Sequence, residues 1–287
     1  MKNVFEVRNL AFKYPKANED TIKSISFEVE EGKIFGLLGP SGAGKSTTQK
    51  ILIKLLGEYR GEIRYNGKDL KSYGKEFYEE IGVGFEMPVH FNKLTARENL
   101  AYFASLYKNN ADYSALLEKV GLGDAKEQEV GKFSKGMKVR LNFVRAMINQ
   151  PKMLFLDEPT NGLDPNNAKI IKDLILDFKQ KGGTVFITTH LMGDVEQLCD
   201  RVVFMTDGKI SEAESPRNLK LRYGKKEVYL EYVKQDVMEK KAFPLAELGA
   251  NQAFLDTIKK YPIETIHSGE TSLEDIFRIV TGASKNE

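Results

Sequence analysis

Residues Gly39-Pro40-Ser41-Gly42-Ala43-Gly44-Lys45-Ser46 match G-x-x-x-x-G-K-[ST] at every fixed position. No other feature constrains the fold as tightly, because the pattern serves backbone geometry before side-chain chemistry. Its glycines let successive N–H groups curl toward phosphate oxygens, and a helix N-terminus behind them adds the positive end of its dipole. Lys45 is placed to neutralise the outer phosphates and the Ser46 hydroxyl to meet a Mg²⁺ ion, with Thr47 a further candidate for holding the bound nucleotide. The flanks agree with this reading. Ile34–Leu38 is an apolar run that stops at Gly39, as a buried parallel strand does. Ile51, Leu52, Leu55 and Leu56 then fall at helical spacing and predict a helix from about Lys45 to Leu56.

A second chemical feature lies far downstream. Met153-Leu-Phe-Leu156 is another short apolar strand, and it runs out into Asp157-Glu158. The carboxyl ends of parallel strands are where open α/β sheets hold ligands. Asp157 is therefore a candidate Mg²⁺ ligand, directly or through water. Glu158 is a candidate for polarising an attacking water, since phosphoryl transfer asks for an oriented nucleophile rather than covalent help.

The rest of the chain sorts into three regions. Residues 4–85 read mainly as short strands, with Val4, Phe5 and Val7 in one, Ile25, Phe27 and Val29 in another, and Glu62–Tyr65 before an Asn66-Gly67 turn. Residues 86–150 are largely helical: Thr95-Ala-Arg-Glu98 is a capping box opening a helix through about Tyr107. Further helices are expected over Ser114–Val120 and from Ser134 to about Asn149. An alternating pattern then resumes, with Asp164-Pro165 as N-cap and first helical residue, a Gly182-Gly183 break, a strand over Thr184–Thr188, a helix over Met192–Cys199, and a strand over Val202–Met205. Beyond Leu221 the pattern weakens to a possible strand around Val228–Tyr232 and helices near 245–260 and 272–280.

Bulk properties exclude several classes. A formal net charge of +2 gives no argument for nucleic acid. No run approaches the ~20 apolar residues that span a bilayer, and MKNVFEVRNL lacks a signal-peptide pattern. The single cysteine, Cys199, excludes an intrachain disulfide framework and fits a reducing compartment. A cytoplasmic chain is expected, with any membrane role reached through a partner.

Taken in order, these motifs resemble the ATP-binding cassette (ABC) ATPases from about residue 3 to residue 220. Tyr14 stands where that family carries an aromatic that stacks on adenine. Phe133-Ser134-Lys135-Gly136-Met137 stands at the family's signature, usually L-S-G-G-Q; Asn161-Gly-Leu-Asp164 matches its D-loop; and His190 ends a strand as its switch histidine does. The resemblance implies a P-loop NTPase core of α/β class with an antiparallel β subdomain and an inserted α-helical subdomain (about 86–150). It further implies an ATPase domain over 1–221 and leaves 222–287 as a small α+β accessory region. It also implies ATP and Mg²⁺ as cofactors and His190 on the γ-phosphate. Ser134, Gly136 and Asp164 would act on ATP held by a second subunit, in a head-to-tail homodimer or heterodimer.

Two departures from the family pattern stand out, one at Glu86 and one within the signature. Glu86 stands where glutamine is usual, so it either ligates Mg²⁺ more strongly or repels the γ-phosphate. Lys135 and Met137 replace glycine and glutamine within the signature. Such drift, and Thr271-Ser-Leu-Glu-Asp-Ile-Phe277 near the end, resemble the bacterial ABC-2-type exporter branch. That implies separate transmembrane permease subunits docked near Glu86 and Pro88-Val-His-Phe91, with the chain peripheral on the cytoplasmic face of the membrane. The alternatives are a soluble, non-transport ABC ATPase and a nucleotide-dependent regulatory module.

Overall fold

In the computed structural model, which describes residues 2–87, 89–269 and 271–282, the chain forms two compact units divided between Ser215 and Pro216. The first begins with β1 (Asn3–Phe12), β2 (Ile22–Glu30) and β3 (Ile34–Leu38), followed by α1 (Lys45–Leu52), β4 (Arg60–Tyr65), β5 (Lys68–Asp69), α2 (Glu76–Glu80) and β6 (Ile81–Gly84). The helical stretch holds α3 (Ala96–Ala104), α4 (Tyr113–Lys119) and α5 (Lys135–Met147). Alternation returns with β7 (Met153–Asp157), α6 (Pro165–Gln180), β8 (Thr184–Thr189), α7 (Met192–Leu198), β9 (Arg201–Thr206) and β10 (Lys209–Glu214).

Strands β1, β2, β4 and β5 form an antiparallel sheet in the order β2-β1-β4-β5, and the other six strands form a sheet ordered β10-β9-β3-β8-β7-β6. All neighbours in the larger sheet run parallel except β10, which pairs antiparallel with β9. Between the sheets lies the main core. Phe27 and Phe35 stack with centroids 5.3 Å apart, Phe35 and Phe186 repeat that distance, and Phe5 meets Phe155 edge-on at 5.8 Å. Such offset and edge contacts add to the burial of large apolar area. Ile51 and Leu52 of α1 join this core, while α5, α6 and α7 pack against β6, β8 and β3.

Local sequence explains most boundaries. Thr95 accepts from Glu98 N at 3.1 Å while Glu98 Oε2 accepts from Thr95 N at 2.8 Å, the reciprocal capping box expected for α3. Asp164 accepts from Asn166 N and Asn167 N at 3.1 Å, and Pro165 opens α6. Helix α1 stops at Leu52, short of the expected Leu56, because Lys54 turns to φ +60° and the Leu55 N–H reaches back to Lys50 O at 2.8 Å. Periodicity missed α2, β6 and β10; β6 is only four residues long and carries two glycines.

The second unit contains α8 (Pro216–Tyr223), β11 (Glu227–Lys234), β12 (Val237–Pro244), α9 (Gln252–Lys260), β13 (Ile263–Ser268) and α10 (Leu273–Thr281). Its antiparallel sheet, ordered β12-β11-β13, buries Val228, Leu230, Tyr232 and Phe243 against Phe254 of α9. The boundary expected at 221 falls inside α8, a helix that packs against α10.

Candidate functional site

Strand order brings the separated motifs together. Strand β8 lies between β3 and β7, with Leu38 paired to Thr189 and Asp157 to Thr188. The loop after β3, the histidine after β8 and the carboxylates ending β7 therefore emerge side by side. They form a cleft of about 340 Å³ lined by Ser41, Gly42, Gly44, Lys45, Ser46, Thr47, Glu86, Glu158, His190 and Thr21.

The loop is built by its glycines for different reasons. Gly42 (φ +82°) and Gly44 (φ +105°) take left-handed backbone, which costs a side-chain-bearing residue about 1 kcal/mol. Gly39 does not; a Cβ there would lie 2.0 Å from Met205 O. Lys45 folds back and donates to Gly39 O at 2.7 Å and Pro40 O at 3.1 Å. Burial pulls its ammonium below the ordinary lysine range, and Glu158, Asp157 and Glu86 act in the opposite direction. Ala43 is buried under the loop, and its carbonyl accepts from Gly208 N at 3.1 Å.

Ser46 Oγ donates to Asp157 Oδ1 at 3.3 Å. The Thr188 hydroxyl also donates to Asp157 Oδ1 and lies 3.1 Å from Gln49 Oε1. Glu158 is the next residue and is buried. Its Oε2 accepts from Thr189 Oγ1 at 2.8 Å, and its Oε1 lies 2.8 Å from His190 Nδ1. Glu158 sits at φ +49°, a sparsely populated conformation for a glutamate. Backbone strain of this kind persists where surrounding contacts over-determine it, and here two side-chain bonds do.

The other expected residues, Glu86 apart, lie around the cleft rather than in it. The Tyr14 hydroxyl is 3.2 Å from Thr47 Oγ1, and its ring rests edge-on against Phe12 at 4.9 Å. Glu86 reaches the cleft and accepts from Asn161 Nδ2 at 3.3 Å. Ser134 is the N-cap of α5 and accepts from Met137 N at 3.2 Å, but neither it nor Gly136 lines the cleft. Asp164 is exposed at the start of α6. Its hydrogen bonds, first that from the Asn167 side chain, hold its carboxyl below the usual range. Pro88, named with the docking stretch, lies outside the described residues.

Sequence reasoning missed Thr21, Gln49, Thr188 and Thr189. The threonines carried a signal, since two hydroxyls end a buried strand where aliphatic residues would otherwise be expected; Thr21 carried none. Beside this cleft, a groove of about 750 Å³ runs past Phe85, Val89, Phe91, Phe103 and Leu106.

Residues 22–161 match the ABC transporter family, and residues 226–270 match the fluoroquinolone efflux ABC transporter C-terminal domain. The fluoroquinolones export ATP-binding protein of Mycobacterium tuberculosis is 50% identical over 281 residues, covering 97% of this chain and 93% of its own length. The chain belongs to the ATP-binding proteins of ABC transporters. The bacitracin transport ATP-binding protein of Bacillus licheniformis is 38% identical over 251 residues, covering 86% of this chain and 79% of its own. A solved structure of an ATP-binding subunit of an ABC transporter superposes with a TM-score of 0.70 at 28% identity, covering 77% of this chain and 93% of that one. This member is thus an ATP-binding and ATP-hydrolysing subunit. Among the described residues, no helix is long and apolar enough to cross a membrane.

Proposed function

We propose that this ABC subunit drives export through separate transmembrane permease subunits, and that its cleft holds the triphosphate of ATP-Mg²⁺. The observation that carries this is the convergence of Lys45, Ser46, Asp157, Glu158 and His190 at adjoining strand ends. Lys45 would exchange its Gly39 and Pro40 carbonyl partners for β- and γ-phosphate oxygens. Glu158, already oriented by Thr189 and His190, would hold the attacking water, and His190 would face the γ-phosphate. Tyr14, at the edge of the helix that follows the loop, would stack on the base.

The residues present suit Mg²⁺. Ser46 and Asp157 offer a small, all-oxygen donor pair, which is what a cation that keeps waters and phosphate ligands requires. Ser46 and Asp157 would fill only part of the six-oxygen shell that Mg²⁺ takes, which leaves places for phosphate oxygens and water. When bound, the ion would neutralise charge on the phosphate oxygens; Ser46 and Asp157 would hold it, with Glu86 beside them.

Ser134, Gly136 and Asp164 lie outside their own chain's cleft. That supports a head-to-tail dimer in which the N-terminus of α5 closes on the nucleotide of the other subunit. Met87 and Val89, 83% and 81% exposed, border the apolar groove and support its use as the docking place for the permease. On this reading the chain sits on the cytoplasmic face of the membrane. The M. tuberculosis relative and the C-terminal match support a fluoroquinolone-class cargo, handled by the permease.

The test is Glu158→Gln. ATPase activity should fall at least about 100-fold, as removal of a water-orienting group predicts, while ATP-dependent dimerisation persists. Retained hydrolysis would end the catalytic assignment, and loss of dimerisation with wild-type affinity for ATP would end the composite site. Cells expressing the chain with its permease should accumulate less of a fluoroquinolone, and Glu158→Gln should abolish that difference.

A further inference from the structure

Helix α5 begins at the signature, and one side of it is polar where a packed helix would be expected to be apolar. Three side chains along that side, at 142, 145 and just past the helix at 149, donate to main-chain carbonyls of the segment from 78 to 90, and the main-chain carbonyl of Lys138 meets the His90 ring. Asn142 Nδ2 donates to Phe85 O at 2.8 Å, and Arg145 Nη1 donates to Val89 O at 2.8 Å. Arg145 Nη2 donates to Asn142 Oδ1 at 2.8 Å, which joins the two grips. His90 Nε2 lies 3.2 Å from Lys138 O, and Asn149 Nδ2 donates to Ile81 O at 2.8 Å. The spacing of 142, 145 and 149 is helical, so these three side chains share one face.

Two further features stiffen the seam. A Cβ at Gly82 would lie 1.9 Å from Ala146 O, so strand and helix meet backbone to backbone with no side chain between them. The Arg145 guanidinium stacks on Phe103 at 4.8 Å and is buried enough to lower its pKa from the ordinary arginine value. The bonds made by Asn142 and Asn149 are partly or fully buried, and such bonds are costly to leave unmade. The loop is thereby held at Phe85 and again at Val89 and His90. Between these points stand Glu86, which reaches the nucleotide cleft, and Met87, exposed on the groove.

We propose that Asn142 and Arg145 are positioning residues that join α5 and loop 85–90 into one lever, so that seating of Ser134 and Gly136 on a nucleotide shifts Glu86 and the apolar docking residues together. This rests on the composite-site reading given above. It adds the residues through which one end of the helix acts on the other site, and it has no need of a moving hinge inside the helical region. A coupling of this sort is shown only by perturbing one end and reading the other.

The experiment is amide hydrogen exchange on the full chain carrying Glu158→Gln, with and without ATP-Mg²⁺, alone and with Asn142→Ala or Arg145→Lys added. In the parent, ATP should protect both 134–137 and 85–90. In each added variant, protection at 134–137 should persist while exchange in 85–90 with ATP rises roughly five- to tenfold, the effect of one lost side-chain-to-main-chain hydrogen bond. Arg145→Lys keeps the charge and much of the packing, so it carries the test where Asn142→Ala fails to fold. Unchanged nucleotide-free exchange around residue 149 marks a folded variant. A purely structural role would loosen the loop equally with and without ATP, and that result overturns the lever, as does full ATP protection of 85–90 in a folded variant. Absence of ATP protection at 134–137 in the parent instead removes the composite site, and the lever with it.

Discussion

The three glycines of the phosphate loop should respond differently to the same methyl group. At Gly42 an added Cβ meets nothing within 4 Å, so Gly42→Ala costs only the left-handed backbone strain, about 1 kcal/mol. At Gly44 the same strain is joined by approaches of 2.8 Å to Met205 Cε and 3.1 Å to Thr21 O; the flexible methionine can yield, and about 2 kcal/mol is expected. Gly39 carries no positive φ, but its Cβ would sit 2.0 Å from Met205 O on the neighbouring strand β9. Relief requires parting two paired strands in the packed core by more than 1 Å, and overpacking of rigid backbone costs roughly 3 kcal/mol. Urea unfolding of the nucleotide-free chain, followed by far-UV circular dichroism because the protein has no tryptophan, should rank the variants Gly42, Gly44, Gly39 in increasing loss. ATP affinity should show another order: Gly42→Ala folds but turns its N–H groups from the phosphate, weakening binding about tenfold, or ~1.4 kcal/mol. A Gly39→Ala variant as stable as Gly42→Ala would refute the steric account of the first glycine.

Other residues make further claims. Glu86→Gln should shift the Mg²⁺ dependence of hydrolysis toward higher concentration; identical kinetics across a Mg²⁺ titration would remove Glu86 from the metal side of the site. Thr188→Val removes a fully buried hydroxyl that bonds Asp157, and should cost ~1–2 kcal/mol of stability and lower kcat more than it raises KM for ATP; an unchanged kcat would show that Asp157 needs no such support. Burial first, then Arg145, pushes His90 down to about 4 from its ordinary value of 6.5. The unfolded chain therefore binds the extra proton between those values, and stability is full above pH 6.5 and declines as pH falls toward 4. The loss is at most ~3 kcal/mol, reduced to roughly 2 by the part of the ring that meets solvent. His90→Gln should flatten this portion of the stability–pH curve, and an unaltered slope would show that His90 is not its source.

Much of this molecule is legible in its sequence. The phosphate loop, Asp157-Glu158, the capping box at Thr95 and the Asp164-Pro165 helix start depend on residues adjacent in sequence, and each local pattern admits few conformations. The short strands were harder. β6 is four residues with glycines at 82 and 84, and those glycines serve the close approach of α5 rather than any strand preference. Likewise β12 keeps a single buried residue, so alternation had little to reveal.

The sequence by itself determined which groups this protein would bring to a nucleotide: a curled glycine backbone, a lysine, a serine, two carboxylates and a histidine. Tertiary structure alone decided that they meet. Insertion of β8 between β3 and β7 sets Leu38 beside Thr189 and Asp157 beside Thr188, a strand order chosen by burial of whole faces and not by any local preference. The same holds for the polar face of α5. Asn142 and Arg145 look misplaced in a helical pattern, because the carbonyls that satisfy them lie more than fifty residues away.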